Sequence, residues 1–359
     1  NIVMKASIDK IVLNFKIPSG TSRGILKEKP SWILKISDEN GTCGRGEFSI
    51  IPGLSPDFKD EKSYLALINL VVEFIENQLE INDLTSLKTF EFTEKIQLFY
   101  SKFRSYPSLI FGFETAALDF LNGGKALIYK NNFSEGLSQI PINGLVWMGD
   151  VEFMQEQIDS KIQAGFSTIK IKIGAIAFNK ELALIEKIRA RYNERQITIR
   201  VDANGAFSPY EVEEILLQLK DLDVHSIEQP IQSGQLEKLA ALCKRNILPL
   251  ALDEELIGIS TREERITLLD FVCPQFIVLK PSLHGGFYGC KEWIELAEER
   301  GIEWWITSAL ESSIGLNAIS QFTGNYPIIL PQGLGTGGLY TNNLPSKLVI
   351  KEGFLKMSV

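Results

Sequence analysis

The sequence predicts an α/β protein, a (β/α)8-type, TIM-like barrel carrying an N-terminal α+β capping domain. Three observations predict it. From residue 139 onward, short apolar strands alternate with helical segments, the rhythm of a parallel sheet. Eight such strands can be read, more than an open doubly wound sheet ordinarily needs, and no G-x-G-x-x-G follows an early strand. Residues 1–125 lack this rhythm and read as strands followed by helices.

The elements follow in order. In the capping domain, 1–125, MKASIDKIVLNFKI and SWILKIS read as strands, and an Asn40-Gly41 turn leads into a third. Apolar helical stretches follow in YLALINLVVEFIENQL, FTEKIQLFYSKF and LIFGFETAALDFL. GKALIYKNNFSEGLSQ links them to the barrel, assigned to 126–339. The barrel strands are IPINGL, TIKIKIG, ITIRVDAN, VHSIEQP, LPLALDE, QFIVLK, WWITSAL and PIILPQGL. Helices such as EFMQEQIDSKIQAG, KELALIEKIRARYN, LEKLAALCKRN and YGCKEWIELAEERG fill the intervals. SPYE marks another start, with Ser208 as N-cap, Pro209 at the first helical position and Glu211 closing a capping box. Residues 340–359 exceed what a barrel needs and are expected to return onto the capping domain.

Composition narrows the function. Hydrophobic residues make up 45% of the 359, enough for a sizeable core. A net charge of -8 speaks against a general nucleic-acid binder. No apolar run reaches the ~18 residues of a membrane span. The N-terminus shows no signal-peptide pattern, so membrane insertion is not expected and a cytoplasmic location is. Cys43, Cys243, Cys273 and Cys290 are widely spaced and are expected to be buried free thiols.

The chemistry lies at the strand ends. In STIKIKIGA, Ile169, Ile171 and Ile173 alternate with Lys170 and Lys172, so both lysines share one face of a strand. The next strands end in Asp202, Glu228, Asp253 and Lys280, at spacings of 26, 25 and 27 residues. One βα repeat separates each pair, which brings all of them to the C-terminal mouth of the barrel. Three carboxylates on adjacent strands repel one another unless a cation joins them, and all-oxygen ligands point to Mg²⁺. The lysine face then points inward, and a neutral lysine beside that cation is a competent general base. A metal holding a small-molecule carboxylate substrate would stabilise the enediolate formed when its α-proton leaves. His225 is expected on the opposite face from Glu228, and His284 as a loop contact after Lys280. Backbone amides of GLGTGG, Gly333 to Gly338, lie where a barrel binds an anionic group.

These residues together resemble the enolase superfamily, in its muconate-lactonizing-enzyme subgroup, over essentially the whole chain. Lys170-x-Lys172, the three acids and Lys280 carry the resemblance, and WWITSAL lacks the strand-seven histidine of the mandelate-racemase subgroup. Within the subgroup, RVDAN (Arg200 two residues before Asp202), TSALESSIGLNAISQF and GLGTGGLY resemble the o-succinylbenzoate synthase family. PQGLGTGG stands where dipeptide epimerases carry D-x-D. The resemblance implies a lyase of menaquinone biosynthesis, which catalyses syn dehydration of 2-succinyl-6-hydroxy-2,4-cyclohexadiene-1-carboxylate to 2-succinylbenzoate. It implies Mg²⁺, with Mn²⁺ tolerated, on Asp202, Glu228 and Asp253. Lys172 would take the α-proton and return it to the leaving hydroxyl, while Lys280 stabilises the enediolate and Lys170 tunes Lys172. Arg200, Ser308, Gly333 and Gly335 are expected to position the succinyl tail, with Asn204 a further substrate-binding residue. SGTSRG and SIIPGLSPD are expected lids, with Arg23 reaching the substrate. The competing readings are an N-succinylamino-acid racemase or dipeptide epimerase on the same site, and a non-catalytic ligand-binding barrel. The intact constellation disfavours the last.

Overall fold

The structure, a computed structural model, describes residues 4–21 and 24–358. Strands β1 (Lys5–Thr21), β2 (Gly24–Ser37) and β3 (Cys43–Ser49) form an antiparallel sheet in that order. The Asp38 carboxylate accepts from the amides of Asn40 and Thr42, and Gly41 supplies the positive φ of +85° that the β2–β3 turn requires. Trp32, Leu34 and Ile36 alternate onto one buried face of β2.

Helices α1 (Glu61–Gln78), α2 (Ile81–Thr85), α3 (Glu94–Phe103) and α4 (Pro107–Leu121) follow. Asp60 and Thr93 cap α1 and α3 through their side chains, and Pro107 opens α4. Every α4 residue from Pro107 to Phe120 is buried. The sheet covers one side of α4, and the barrel covers the other. Glycines make this close approach possible. A Cβ at Gly46 would lie 2.0 Å from the Gly112 carbonyl oxygen, and one at Gly44 would lie 2.3 Å from that of Ala116.

The barrel begins after a linker. Strand β4 (Ile140–Pro141) stands apart from β5 (Gly144–Val146), so the first predicted strand is divided in two. Then come α5 (Val151–Gln163), β6 (Thr168–Lys172), α6 (Phe178–Arg189), β7 (Thr198–Asp202), α7 (Val212–Asp221), β8 (Ser226–Glu228) and α8 (Leu236–Arg245). Next are β9 (Leu250–Leu252), α9 (Arg262–Val272), β10 (Phe276–Leu279), α10 (Gly286–Glu299), β11 (Glu303–Ile306) and α11 (Ser313–Thr323). Strands β5 to β11 form a parallel sheet of seven in sequence order. The predicted eighth strand, PIILPQGL, is not a regular strand. It closes the ring through two isolated bridges, Thr307 to Gly333 and Ile142 to Gln332. Pro327 and Pro331 carry no amide hydrogen, which denies this segment a continuous ladder.

The SPYE capping box forms: the Ser208 amide donates to Glu211 Oε1, and the Glu211 amide donates to Ser208 Oγ. The regular helix starts slightly later, at Val212. Helix α9 has the same signature in Thr261 and Glu264, which the sequence reading did not use. All four cysteines are free. Cys243 and Cys290 are buried, Cys43 is partly buried, and Cys273, at the end of α9, is exposed, which corrects the expectation that all four are buried.

Inward and outward faces separate along each strand. Ile169, Ile171 and Ile173 join the core with Leu184, Ile185 and Ile188 of α6. Ala251, Phe276, Val278 and Trp305 form a separate apolar cluster. Residues 339–342 run beside β1, where the Lys16 amide donates to Leu339 and the Thr341 amide to Asn14. The rest of the tail instead forms a hairpin, β12 (Leu348–Lys351) and β13 (Phe354–Met357), paired with β4. Leu355 and Met357 alternate into the core there, which is why this hairpin adds to the barrel rather than to the capping sheet. Among the described residues, no helix is long and apolar enough to cross a membrane.

Two buried capping-domain glutamates dock onto barrel helices. Glu47 accepts from the Ser312 and Gly315 amides at the start of α11, and Glu114 accepts from the Phe287 and Tyr288 amides at the start of α10. Each satisfies amides that a helix N-terminus leaves unpaired. Burial nevertheless pushes the Glu114 carboxyl up, to about 8, against the hydrogen bonds it accepts from Tyr100, Tyr288 and Phe287.

Two outcomes are expected. Gly46→Ala should lower the melting temperature by lifting α4 off β3, a loss of about 1–3 kcal/mol in denaturant unfolding. Glu114 has a raised folded-state pKa, so its contribution is intact below about 4.5 and falls as pH rises toward about 8. Relative to Glu114→Gln, the natural protein should therefore lose stability across that window. A difference that grows in the opposite direction refutes the assignment.

Candidate active site at the barrel mouth

Register builds the site. Lys172 stands directly beside Asp202 on β7, and Asp202 beside Glu228 on β8. Asp253 and Lys280 follow the ends of β9 and β10. One carboxylate oxygen from each of Asp202, Glu228 and Asp253 lies within 4.8 Å of the other two. All three acids are fully buried.

The lysines meet these acids. Lys170 Nζ lies 2.8 Å from Glu228 Oε2 and 3.4 Å from Asp202 Oδ2. Lys172 Nζ lies 3.1 Å from Asp202 Oδ2 and donates at 3.1 Å to Asn204 Oδ1. Lys280 Nζ donates to Asp253 Oδ2 at 2.5 Å. Burial pushes the Lys170 and Lys280 ammoniums down, but the carboxylates of Glu228 and Asp202, and of Asp253 and Glu254, outweigh it and hold both above the ordinary value. The acids diverge. Burial alone would raise Asp202, yet Lys172 and Lys170 hold it well below the carboxyl range. Glu228 moves up through burial and the neighbouring Asp202 and Asp253 charges, against Lys170.

The ammoniums leave part of this charge unmet. Among the described residues, Glu228 Oε1 and Asp253 Oδ1 are buried with no hydrogen-bond partner. Orphaned carboxylate oxygens are costly unless a cation takes them. Two such oxygens beside Asp202, all hard donors, fit a divalent metal ion. The three acids therefore form a candidate metal site.

Above them opens a cavity at the barrel mouth. Of the predicted residues, Lys170, Lys172, Asn204, Lys280, Ser308, Gly333 and Gly335 line it. Ile51 and Leu54, from the SIIPGLSPD segment, form part of its roof. Asn204 does more than line the wall. Held at φ +45°, it accepts from Lys172 and donates at 2.8 Å to Glu254 Oε1.

Arg200 is a correction. It is 1% exposed and does not line the cavity. Its guanidinium stacks 4.0 Å from the Trp305 ring centroid and donates to the Pro331 carbonyl. It points inward with Asp202 but one step back along the strand, so it acts as a floor residue rather than a tail contact. Arg23 lies outside the described residues. His284 is buried, and its Nδ1 accepts from the Lys280 amide at 2.8 Å, a loop contact as read from the sequence. His225 stacks on Phe276, away from the cavity.

Sequence reasoning missed Trp147 and Glu254. Trp147, at the end of the first barrel strand, faces Lys172 Nζ at 5.8 Å from its ring centroid. An aromatic residue at a strand's C-terminal end is the signal that could have found it. Glu254 follows Asp253, and the acidic run there was the available hint. Burial, with Asp253 and Asp202 nearby, pushes its carboxyl up to about 7.

The family model described as "Enolase C-terminal domain-like" matches residues 153–358. An o-succinylbenzoate synthase of Desulfotalea psychrophila is 45% identical, over 99% of each chain. The crystal structure of MenC from Desulfotalea psychrophila LSv54 superposes with a TM-score of 0.86 at 42% identity, covering 98% of this chain and 99% of that one. An N-succinyl-L-Arg/Lys racemase of Bacillus cereus is 25% identical, over 86% of this chain and 80% of that protein. The barrel with acids and lysines at its mouth defines a proton-abstraction enzyme. The chain belongs to the enolase superfamily and, within it, to the family of the o-succinylbenzoate synthases.

Added Mg²⁺ should raise the melting temperature, by an amount that grows with the logarithm of its concentration above Kd. Asp253→Asn should abolish most of that rise. A chain whose melting temperature ignores divalent cations would remove the metal site.

Proposed function

We propose that this protein is an o-succinylbenzoate synthase, a lyase that dehydrates 2-succinyl-6-hydroxy-2,4-cyclohexadiene-1-carboxylate to 2-succinylbenzoate in menaquinone biosynthesis. The observation that carries the reading is two lysines, Lys172 and Lys280, that line one cavity and each contact an acid of the triad, in a chain 45% identical to a synthase of that name.

Each residue has a task. Asp202, Glu228 and Asp253 would hold Mg²⁺, whose charge, when bound, offsets the second negative charge that develops on the substrate carboxylate. Lys172 is the base. Its neutral amine takes the proton from the ring carbon bearing the carboxylate, and that electron pair begins the new double bond. As an ammonium, Lys172 then gives the same proton to the hydroxyl, the C–O bond breaks, and water leaves. One residue on one face serves both transfers, as syn elimination demands. The ring becomes aromatic, so the step is driven forward.

Asn204 and Asp202 aim the Lys172 nitrogen, and Glu254 anchors Asn204 in turn. Lys280, held by Asp253, supplies a fixed positive charge to the enediolate. Lys170 lies between Asp202 and Glu228, where it balances the acids and tunes Lys172. Ser308, Gly333 and Gly335 line the same cavity, which suits the succinyl tail.

One observation favours a second activity. Lys172 and Lys280 line the same cavity from different strands, which is also what two-base racemisation of an N-succinylamino acid requires.

Lys172→Ala should lower dehydration by about 10²- to 10⁴-fold while Mg²⁺ still raises the melting temperature. Appreciable turnover in that variant would sink its assignment as the base. Chelation should stop the reaction, and Mg²⁺ should restore it. In Lys280→Ala, α-proton exchange on a substrate analogue should persist through Lys172. Loss of exchange with one enantiomer only would point to the two-base racemase.

A further inference from the structure

Behind the cavity wall at Ser308–Leu310 lies a buried charged cluster that the proton transfer does not use. Lys29, on β2 of the capping domain, is 0% exposed and donates to Ser49 Oγ at 2.5 Å. Glu47 and Glu311 are also 0% exposed and are its electrostatic partners. Glu311 ties two parts of the barrel mouth together. Its Oε1 accepts from Ser282 Oγ at 2.7 Å, in the loop after Lys280, and its Oε2 accepts from the Ala309 amide at 2.8 Å, in the wall itself.

The wall is strained. Leu310 is held at φ +65°, a region that side chains with a Cβ rarely occupy. Its amide donates to Ser308 Oγ, and its carbonyl accepts from the Tyr340 hydroxyl at 2.6 Å. Such a conformation persists only where the surroundings over-determine it, and it concentrates at functional sites.

We propose that Lys29, Glu47 and Glu311 form a positioning network through which the capping domain sets the Ser308–Leu310 wall and so the grip of the site on the tail of its substrate. The proposal rests on the synthase reading above. Two carboxylates buried together repel, and the buried Lys29 ammonium attracts both. Burial pushes the Lys29 ammonium down, and Glu47 and Glu311 oppose it; burial pushes the Glu311 carboxyl up, and Lys29 opposes that. Without Lys29, the charged Glu311 is repelled by Glu47 and turns away, which loosens its hold on Ala309. Lys172 is held elsewhere, by Asp202 and Asn204, so the damage falls on binding rather than on proton transfer.

The test is a charge-compensation cycle on the full chain, with melting temperature recorded for each variant. Lys29→Met should raise KM for the cyclohexadiene substrate about tenfold and lower kcat less than about threefold. Glu311→Ala, which cuts the Ala309 anchor directly, should do the same and answers the question if Lys29→Met does not fold. Lys29→Met combined with Glu311→Gln leaves no added uncompensated charge and should return KM to within about threefold of the natural protein. Equilibrium binding of 2-succinylbenzoate should weaken and recover in parallel. The network is overturned if both single variants keep KM and product affinity within about twofold, or if the double variant is no better than the worse single. A natural protein that binds 2-succinylbenzoate but does not form it would instead overturn the synthase reading, leaving the binding arm of the cycle to judge the network.

Discussion

Everything at the barrel mouth depends on keeping Asp202, Glu228 and Asp253 buried within 4.8 Å of one another. Three carboxylates so placed repel strongly in a medium that screens poorly. The strands on either side answer with Lys170, Lys172 and Lys280, each in contact with one or more of the acids. The balance is incomplete: Glu228 Oε1 and Asp253 Oδ1 have no hydrogen-bond partner among the described residues, and the triad could hold a metal ion there. The same geometry that relieves repulsion thus places lysine nitrogens beside a candidate metal site. Stability and chemistry share one arrangement.

The capping domain is bound into that arrangement. Gly44 and Gly46 let α4 lie against β3, and Glu47 and Glu114 extend from that layer to the starts of α11 and α10. Glu47 also attracts the buried Lys29, and its bonds to Ser312, next to Glu311, bring the contact that joins the domains to the wall of the cavity. With Ile51 and Leu54 in the roof, the cap helps shape what the barrel can hold. Residues that dock the domains therefore neighbour residues that line the cavity.

The sequence was most legible where chemistry repeats with the fold. Period-two alternation in TIKIK placed both lysines on one face, and a spacing of one βα unit predicted that Asp202, Glu228, Asp253 and Lys280 would converge. It was least legible where a contact joins distant segments. Glu254 reaches Lys172 only through Asn204, Trp147 faces it from another strand, and Arg200 turns onto Trp305 rather than into the cavity. The eighth segment looked apolar enough for a strand, but its prolines left it only two bridges.

By itself the sequence determined the alternation of elements, the inward or outward face of each strand residue, and the set of charged groups at the strand ends. These follow from backbone periodicity, which neighbouring residues express locally. Tertiary structure alone decided which inward groups come together: how the ring closes at Gln332 and Gly333, which lysine meets which acid, and that a lysine from the capping sheet is buried in the same charged cluster as Glu311 behind the cavity. Those pairings depend on strand stagger, ring closure and domain docking. Each brings together residues far apart in the chain, and no local period records them.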